Sequence, residues 1–200
     1  TPVRKVGDRA GAMVKTPTRA FCMVVESDGM SGLFAGPVEE AWSAAADLSS
    51  ERHTRTMDRP FHTILACAPE MYDELWTAGK CMYKLESVLA DGGELIIYAP
   101  HISDVCIAHG ETIEKGGYHC RDYFLKQWDQ FKDLPWGALA HCVDVKGLGT
   151  YENGVETPRA EVTVASKLSE AKCSQINLGY SDPPTINPDD YANRDDEGIL

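Results

Sequence analysis

Residues 61 to 100 constrain this chain more than any other stretch, because an apolar run, an amphipathic segment and a second apolar run follow one another with almost no connecting residues. The first run, Phe61-His62-Thr63-Ile64-Leu65-Ala66-Cys67-Ala68, lacks the alternation of a sheet wetted on one face and reads as a strand covered on both. Pro69 and Glu70 are read as opening a helix, proline where its missing N–H is no loss and glutamate at the positive end of the dipole. Met71, Tyr72, Leu75, Ala78, Met82, Leu85, Val88 and Leu89 then recur at three- and four-residue steps, which predicts one apolar stripe with Lys80, Lys84 and Glu86 off it. Asp91-Gly92-Gly93 is expected to stop the helix, since glycine takes the positive φ of a C-cap. Glu94 to Ala99 reads as a second buried strand, the return leg of a right-handed β-α-β crossover.

Two hundred residues, 43% of them hydrophobic, can bury a sizeable core, and no apolar run approaches a membrane span. A formal net charge of −12 argues against a nucleic-acid partner, which is held through clustered lysine and arginine, yet it leaves room for a small anion on one buried lysine. The seven cysteines are odd in number and fall mostly inside expected strands and helices, so they read as reduced, buried thiols of a cytoplasmic protein with no membrane partner. The chain opens on Thr1 with no signal sequence and stops at Gly198-Ile199-Leu200, which looks like the start of a strand; it is expected to be a piece of a longer polypeptide.

Taken in order, residues 1 to 19 show no sustained period and are expected to be irregular. Phe21 to Val25 and Leu33 to Ala35 flank Asp28-Gly29, a hairpin signal, and Gly36-Pro37 opens a helix that runs through Arg52. The polar stretch from Thr54 to Arg59 is the expected boundary, giving residues 1–59 as the end of an upstream domain and 60–200 as an α/β domain. Beyond the central unit, Ser103 is read as the N-cap of a short helix and Tyr118 to Lys132 as another. Trp136 to Val143 is read as a third strand, Asp144 to Pro158 as a long loop, Glu161 to Ala165 as a fourth strand, Lys167 to Lys172 as a short helix and Gln175 to Gly179 as a fifth strand. The fold class is therefore α/β: an open, mostly parallel, doubly wound (Rossmann-like) sheet flanked by helices, preceded by a β-hairpin and helix.

Ligands of open α/β sheets bind beyond the carboxyl ends of the strands. Cys67 with Pro69, Tyr98 with His101, Asp144 with Lys146 and Ser166 with Lys167 lie at those expected ends, and Trp76, Thr77 and Lys80 reach the same edge if their helix tilts toward it. Each also has a plainer reading: thiols at 67 and 142 as core packing, His101 as a helix cap, Lys80 as a surface lysine. Cys106 and His109 have no second pair at matching spacing, so no metal site is expected. Neither a Gly-x-Gly-x-x-Gly nor a Gly-x-x-x-x-Gly-Lys-Ser/Thr loop follows the first strand, and no Gly-x-Ser-x-Gly elbow is present.

Phe34-Ala35-Gly36 before a helix, Cys67-Ala68-Pro69, Leu75-Trp76-Thr77-Ala78-Gly79-Lys80 and Asp91-Gly92-Gly93-Glu94-Leu95-Ile96-Ile97 together resemble the C-terminal part of the nickel-dependent lactate racemase family. Gly117-Tyr118-His119, Tyr123 to Trp128 and Lys146-Gly147-Leu148-Gly149-Thr150 resemble a branch of its uncharacterised 2-hydroxyacid relatives. The resemblance implies a racemase or epimerase whose upstream N-terminal domain holds a nickel-pincer nucleotide and carries hydride transfer. The present chain would then close over a small 2-hydroxyacid, hold no cofactor and be inactive alone. It matches the family's aromatic-Gln-x-x-Lys run to Trp76, Thr77 and Lys80, with Lys80 on the substrate carboxylate or C2 oxygen, and Thr77 in place of glutamine favours a 2-hydroxyacid other than lactate. Tyr98 and His101 complete the expected substrate-binding set. Two other readings stand beside it: a non-catalytic small-molecule-binding or interaction module, and a methyltransferase or dehydrogenase using an adenine cofactor on a Rossmann-like fold.

Overall fold

A computed structural model describes residues 2–200, and Thr1, part of the stretch expected to be irregular, lies outside the described residues. The chain forms two compact units, Thr1–Thr56 and Met57–Leu200.

The first unit begins with a helix, α1 (Pro2–Ala12), where irregular backbone was expected. It buries none of its residues; proline stands in the first turn, where its missing N–H is harmless, an Arg4–Asp8 ion pair spans one turn at 2.8 Å, and the Arg4 guanidinium lies 5.5 Å from the centre of the Trp42 ring. β1 (Ala20–Glu26) and β2 (Gly29–Gly36) form the expected antiparallel hairpin, and α2 (Val38–His53) packs on it through Ala41 and Ala45.

The second unit is built on a parallel sheet in the order β3 (Phe61–Cys67), β4 (Leu89–Ala99), β7 (Glu161–Ser166), β8 (Gly179–Tyr180). Between β3 and β4 run α3 (Leu75–Ala78) and α4 (Lys80–Leu85), and between β4 and β7 come α5 (Gly110–Gly116), α6 (Arg121–Lys126), α7 (Trp128–Phe131), α8 (Trp136–Lys146) and a hairpin of β5 (Gly149–Glu152) and β6 (Val155–Pro158). α9 (Glu170–Gln175) links β7 to β8. The α/β class is thus a parallel four-stranded sheet flanked by helices and preceded by an antiparallel hairpin plus helix. Gly198–Leu200, expected to begin a strand, bond in parallel to the free edge of β3, with Leu65 N–H donating to Leu200 O at 2.7 Å. Register sets Ala66 beside Ile97 and Ile97 beside Val164, one apolar row of the core that also takes in Leu75, Met82, Val145 and Cys173.

Several expectations are corrected. The helix does not start at Pro69: residues 69–74 are turn and coil, and helix begins at Leu75, whose N–H and that of Trp76 are satisfied by the carbonyls of Asp104 and Val105 at 2.9 Å. Ser103 therefore caps no helix; its hydroxyl donates to Asp104, and its segment instead completes the start of α3. Asp91-Gly92-Gly93 is not a C-cap but a wide bulge inside β4, where β3 advances from Phe61 to Thr63 while β4 advances from Leu89 to Glu94. Gly92 has φ +73° and donates to Arg159 O, and the Arg159 guanidinium reaches back to Leu89 O at 2.6 Å and Glu86 O at 2.8 Å. Trp136–Val143 is not a strand: Pro135 precedes and Gly147, at φ +82°, ends a buried helix. The expected long loop is mostly that helix's last turn and the β5–β6 hairpin, turned by Asn153 and Gly154, both at positive φ. The helix expected at 167–172 lies at Glu170–Gln175, and the last strand is displaced to Gly179–Tyr180.

Gly79, between α3 and α4, keeps helical dihedrals, and a Cβ there would stand 2.6 Å from Val145 Cγ2 and 3.0 Å from His141 Cε1 on α8. Alanine favours a helix by up to about 1 kcal/mol over glycine, but Val145 is fully buried and cannot swing away. Gly79→Ala is expected to lower stability by about 1–3 kcal/mol, read as a reduced urea midpoint at unchanged slope; an unchanged or raised midpoint would show that α8 yields.

Candidate functional site

The carboxyl edge of the sheet carries two separate clefts. One, of about 370 Å³, lies beside β3 and is lined by Cys67, Pro69, Tyr72, Lys80, Cys81 and Lys84 among others. Lys80 and Lys84 are one helical turn apart and both exposed, and among the described residues neither has a carboxylate within ion-pair distance. The Lys80 ammonium stands 5.3 Å from the centre of the Tyr72 ring, an attraction between cation and π-face that favours one orientation of the charge. Tyr72 is fixed from behind by His101, whose Nε2–H donates to Tyr72 O at 2.8 Å; a carbonyl can only accept, so that nitrogen carries a proton. Cys67, expected to be buried, is exposed here, while Cys81, Cys106, Cys120, Cys142 and Cys173 are buried and all seven thiols are free. Burial pushes the Cys81 thiol up, with Lys84 acting in the opposite sense.

The second cleft, of about 630 Å³, caps the ends of β4, β7 and β8 and takes in Tyr98, Ser166, Lys167 and Tyr180. Of the residues singled out from the sequence, then, Lys80 lines the first cleft and His101 braces its wall, whereas Tyr98 lines the second. Thr77 sits one turn before Lys80, half-buried. Asp144 and Lys146 end a helix rather than a strand, and Lys146 is buried with its ammonium donating to Asn177 O at 3.1 Å.

Trp76 faces inward. Its ring stacks on His141 at 3.8 Å between centroids, with His109 4.9 Å away on another side. The Tyr83 hydroxyl meets His141 Nδ1 at 2.6 Å and the Tyr118 hydroxyl meets Nε2 at 3.4 Å. Burial holds the His141 pKa down at about 4, with His109 acting in the same sense, so the ring is neutral at pH 7. Burial likewise drives Tyr83 up to about 12 and Tyr118 well above the usual phenol value. Around a neutral His141 these rings join α3 and α4 to α8, and nothing in the sequence near His141 announces them, because its partners come from positions 76, 83 and 118.

A second polar knot ties the β5–β6 hairpin down. His119 Nδ1 donates to Glu156 Oε2 at 2.7 Å, Cys120 N–H donates to Glu156 Oε1 at 2.6 Å, and the His119 ring lies flat on Tyr123 at 3.6 Å. Burial alone would raise the Glu156 pKa, but the bonds from His119 and Cys120 overcome it and bring it to about 2.

No family model matches this sequence, and no curated protein matches it. Among solved structures, the chain is similar to a Thermotoga maritima protein determined by the Northeast Structural Genomics Consortium, with 33% sequence identity and a TM-score of 0.87 over 100% of this chain and 51% of that one. It is also similar in fold to the lactate racemase apoprotein from Thermoanaerobacterium thermosaccharolyticum, at 17% identity and a TM-score of 0.56 over 82% of this chain and 38% of that one. The chain thus spans about half the length of the Thermotoga protein.

His141 and Glu156 give separate acid transitions. The folded His141 pKa, near 4, lies below its ordinary 6.5, so the unfolded chain binds the proton first; its stabilising contribution is full above pH 6.5 and is lost as pH falls toward 4. Over that window the loss is expected to reach about 3 kcal/mol, and His141→Leu should flatten it, as read by urea unfolding at a series of pH values. Glu156, ordinarily at 4.5 and here near 2, loses its contribution only between those values, so the loss below pH 4 is expected to survive His141→Leu.

Proposed function

We propose that this chain is the substrate-binding part of a 2-hydroxyacid racemase or epimerase, and that hydride transfer belongs to a nickel-pincer nucleotide held elsewhere in a longer polypeptide. The observation that carries the reading is the cleft beside β3, where two lysines with no carboxylate partner among the described residues face the carboxyl edge of the sheet in a protein of net charge −12. A 2-hydroxyacid presents a carboxylate and an adjacent hydroxyl. An ammonium can donate to both, and with the carboxylate it makes a charge-assisted bond stronger than a neutral one. The likeness of the fold to a lactate racemase apoprotein supports the same assignment.

In this reading Lys80 holds the carboxylate, Lys84 adds a second positive charge one turn away, and Tyr72, braced by His101, walls the cleft. Thr77, one turn before Lys80, stands where the family pattern has an amide, which favours a 2-hydroxyacid other than lactate. Among the described residues no group of three or more His, Cys, Asp or Glu could hold a metal ion, so these side chains do not fit a nickel centre. Their task is to bind and orient the acid.

The test is racemisation of a panel of 2-hydroxyacids by the nickel-loaded full-length protein, followed by optical rotation. Lys80→Ala is expected to weaken substrate binding ten- to a hundredfold, about 1.5–3 kcal/mol for a bond to a charged group, with Lys80→Arg recovering part of it. Turnover that is indifferent to Lys80→Ala would sink the assignment.

A further inference from the structure

One side of the first unit's hairpin is apolar and unburied. The register places Phe21 opposite Ala35, Met23 opposite Leu33 and Val25 opposite Met30, so these six share one face of the ribbon. The other face, with buried Val24, lies on α2, so closely that a Cβ on Gly32 would stand 2.6 Å from Leu48 Cδ2. On the outward face Phe21 is 75% exposed, Met23 64%, Met30 57%, Val25 56% and Leu33 53%. A hairpin with one face in water places polar residues there. Scattered apolar residues on a surface need no explanation, but a contiguous block of them does. Nor can the unit cover itself: of its described residues only Val24, Ala41 and Ala45 are buried apolar side chains, far less than an isolated core requires.

We propose that this face docks on a further half of a longer polypeptide, against an apolar layer in the region that corresponds to the part of the Thermotoga protein this chain does not cover. That protein matches the whole chain, hairpin included, within 51% of its own length, which leaves nearly as much chain again. Size also favours a covalently attached occupant over a second copy. Five such side chains present on the order of 500 Å², short of the ~800 Å² that each partner gives to a stable association. Attachment makes docking intramolecular and lets a smaller face suffice. The inference shares with the proposed function only the existence of a further half and needs nothing of its chemistry.

The test places a photo-crosslinking residue at the outward position, Met23→p-benzoylphenylalanine, in the longest polypeptide that the gene encodes around these 200 residues, irradiated when dilute and mapped by mass spectrometry. The expected result is an intramolecular crosslink to residues outside the present 200, abolished by Leu33→Glu while amide exchange in β3 and β4 stays unchanged. A crosslink to a second copy, a crosslink within residues 57–200, no crosslink, or a gene that encodes nothing beyond this chain would each overturn it. Racemase assays on the same protein are read separately: a crosslink as expected with no 2-hydroxyacid turnover removes the proposed function and leaves the docking face standing.

Discussion

The close approach of α3 and α4 to α8 at Gly79 is the contact on which the candidate site depends. Without a side chain at that point, the helix bearing Lys80 can lie against Val145 and His141. That contact in turn puts Trp76 in stacking distance of the His141 ring and brings the Tyr83 hydroxyl to its Nδ1. A neutral imidazole held between aromatic rings and phenols is expensive to charge and awkward to move, so the helix is fixed in rotation as well as in position. The opposite face, with Lys80 and Lys84, is thereby aimed at the carboxyl end of β3. Chemistry offered to a ligand on one side of the helix rests on packing from the other.

How much of this was legible in the sequence varies with the kind of signal. Strands β3 and β7 and the Glu94–Ala99 part of β4 are readable because apolar, largely β-branched and aliphatic runs of five to eight residues suit strands buried in a parallel sheet. The same logic failed at Trp136–Val143, since a short buried helix is as apolar as a buried strand, and the deciding marks were the flanking residues: Pro135 before it and Gly147 after it. Asn153-Gly154 likewise carried a hairpin signal inside what reads by composition as loop. Asp91-Gly92-Gly93 is the subtler case. Its demand for a positive φ was read correctly, but that demand is met equally by a helix end and by a bulge, and the choice was made by Arg159, 67 residues beyond Gly92, whose guanidinium and carbonyl together hold the bulge.

The candidate site was legible only in part for a related reason. A lysine on a helix after a strand can be picked out locally, whereas the separation of Tyr98 from Lys80 into different clefts follows from position across the sheet: Lys80 lines the cleft at the edge strand β3, and Tyr98 lines the one at the ends of β4, β7 and β8. Cys67 and Tyr98 are register neighbours, but Cys67 lines the edge cleft while Tyr98 lines the other together with Pro183 and Ile186. His141, His119 and Glu156 were not legible because their hydrogen-bonding partners are dispersed along the chain, 21 to 58 residues away.

The charge distribution gives the lysine cleft its meaning. Two lysines at i and i+4 repel one another by a few tenths of a kcal/mol on an exposed helix, and the usual remedy is an interleaved acid, which this face lacks. A net charge of −12 does not neutralise the cleft from a distance, because the Debye length at physiological ionic strength is about 8 Å. Carboxylates elsewhere on the surface are screened beyond that range, and the field inside the cleft is set by what lines it. A bound carboxylate placed between the two ammonium groups relieves their repulsion and gains charge-assisted bonds together. For an anion of the kind proposed, the overall acidity would act mainly on approach, slowing the encounter while leaving the affinity to the groups that line the cleft.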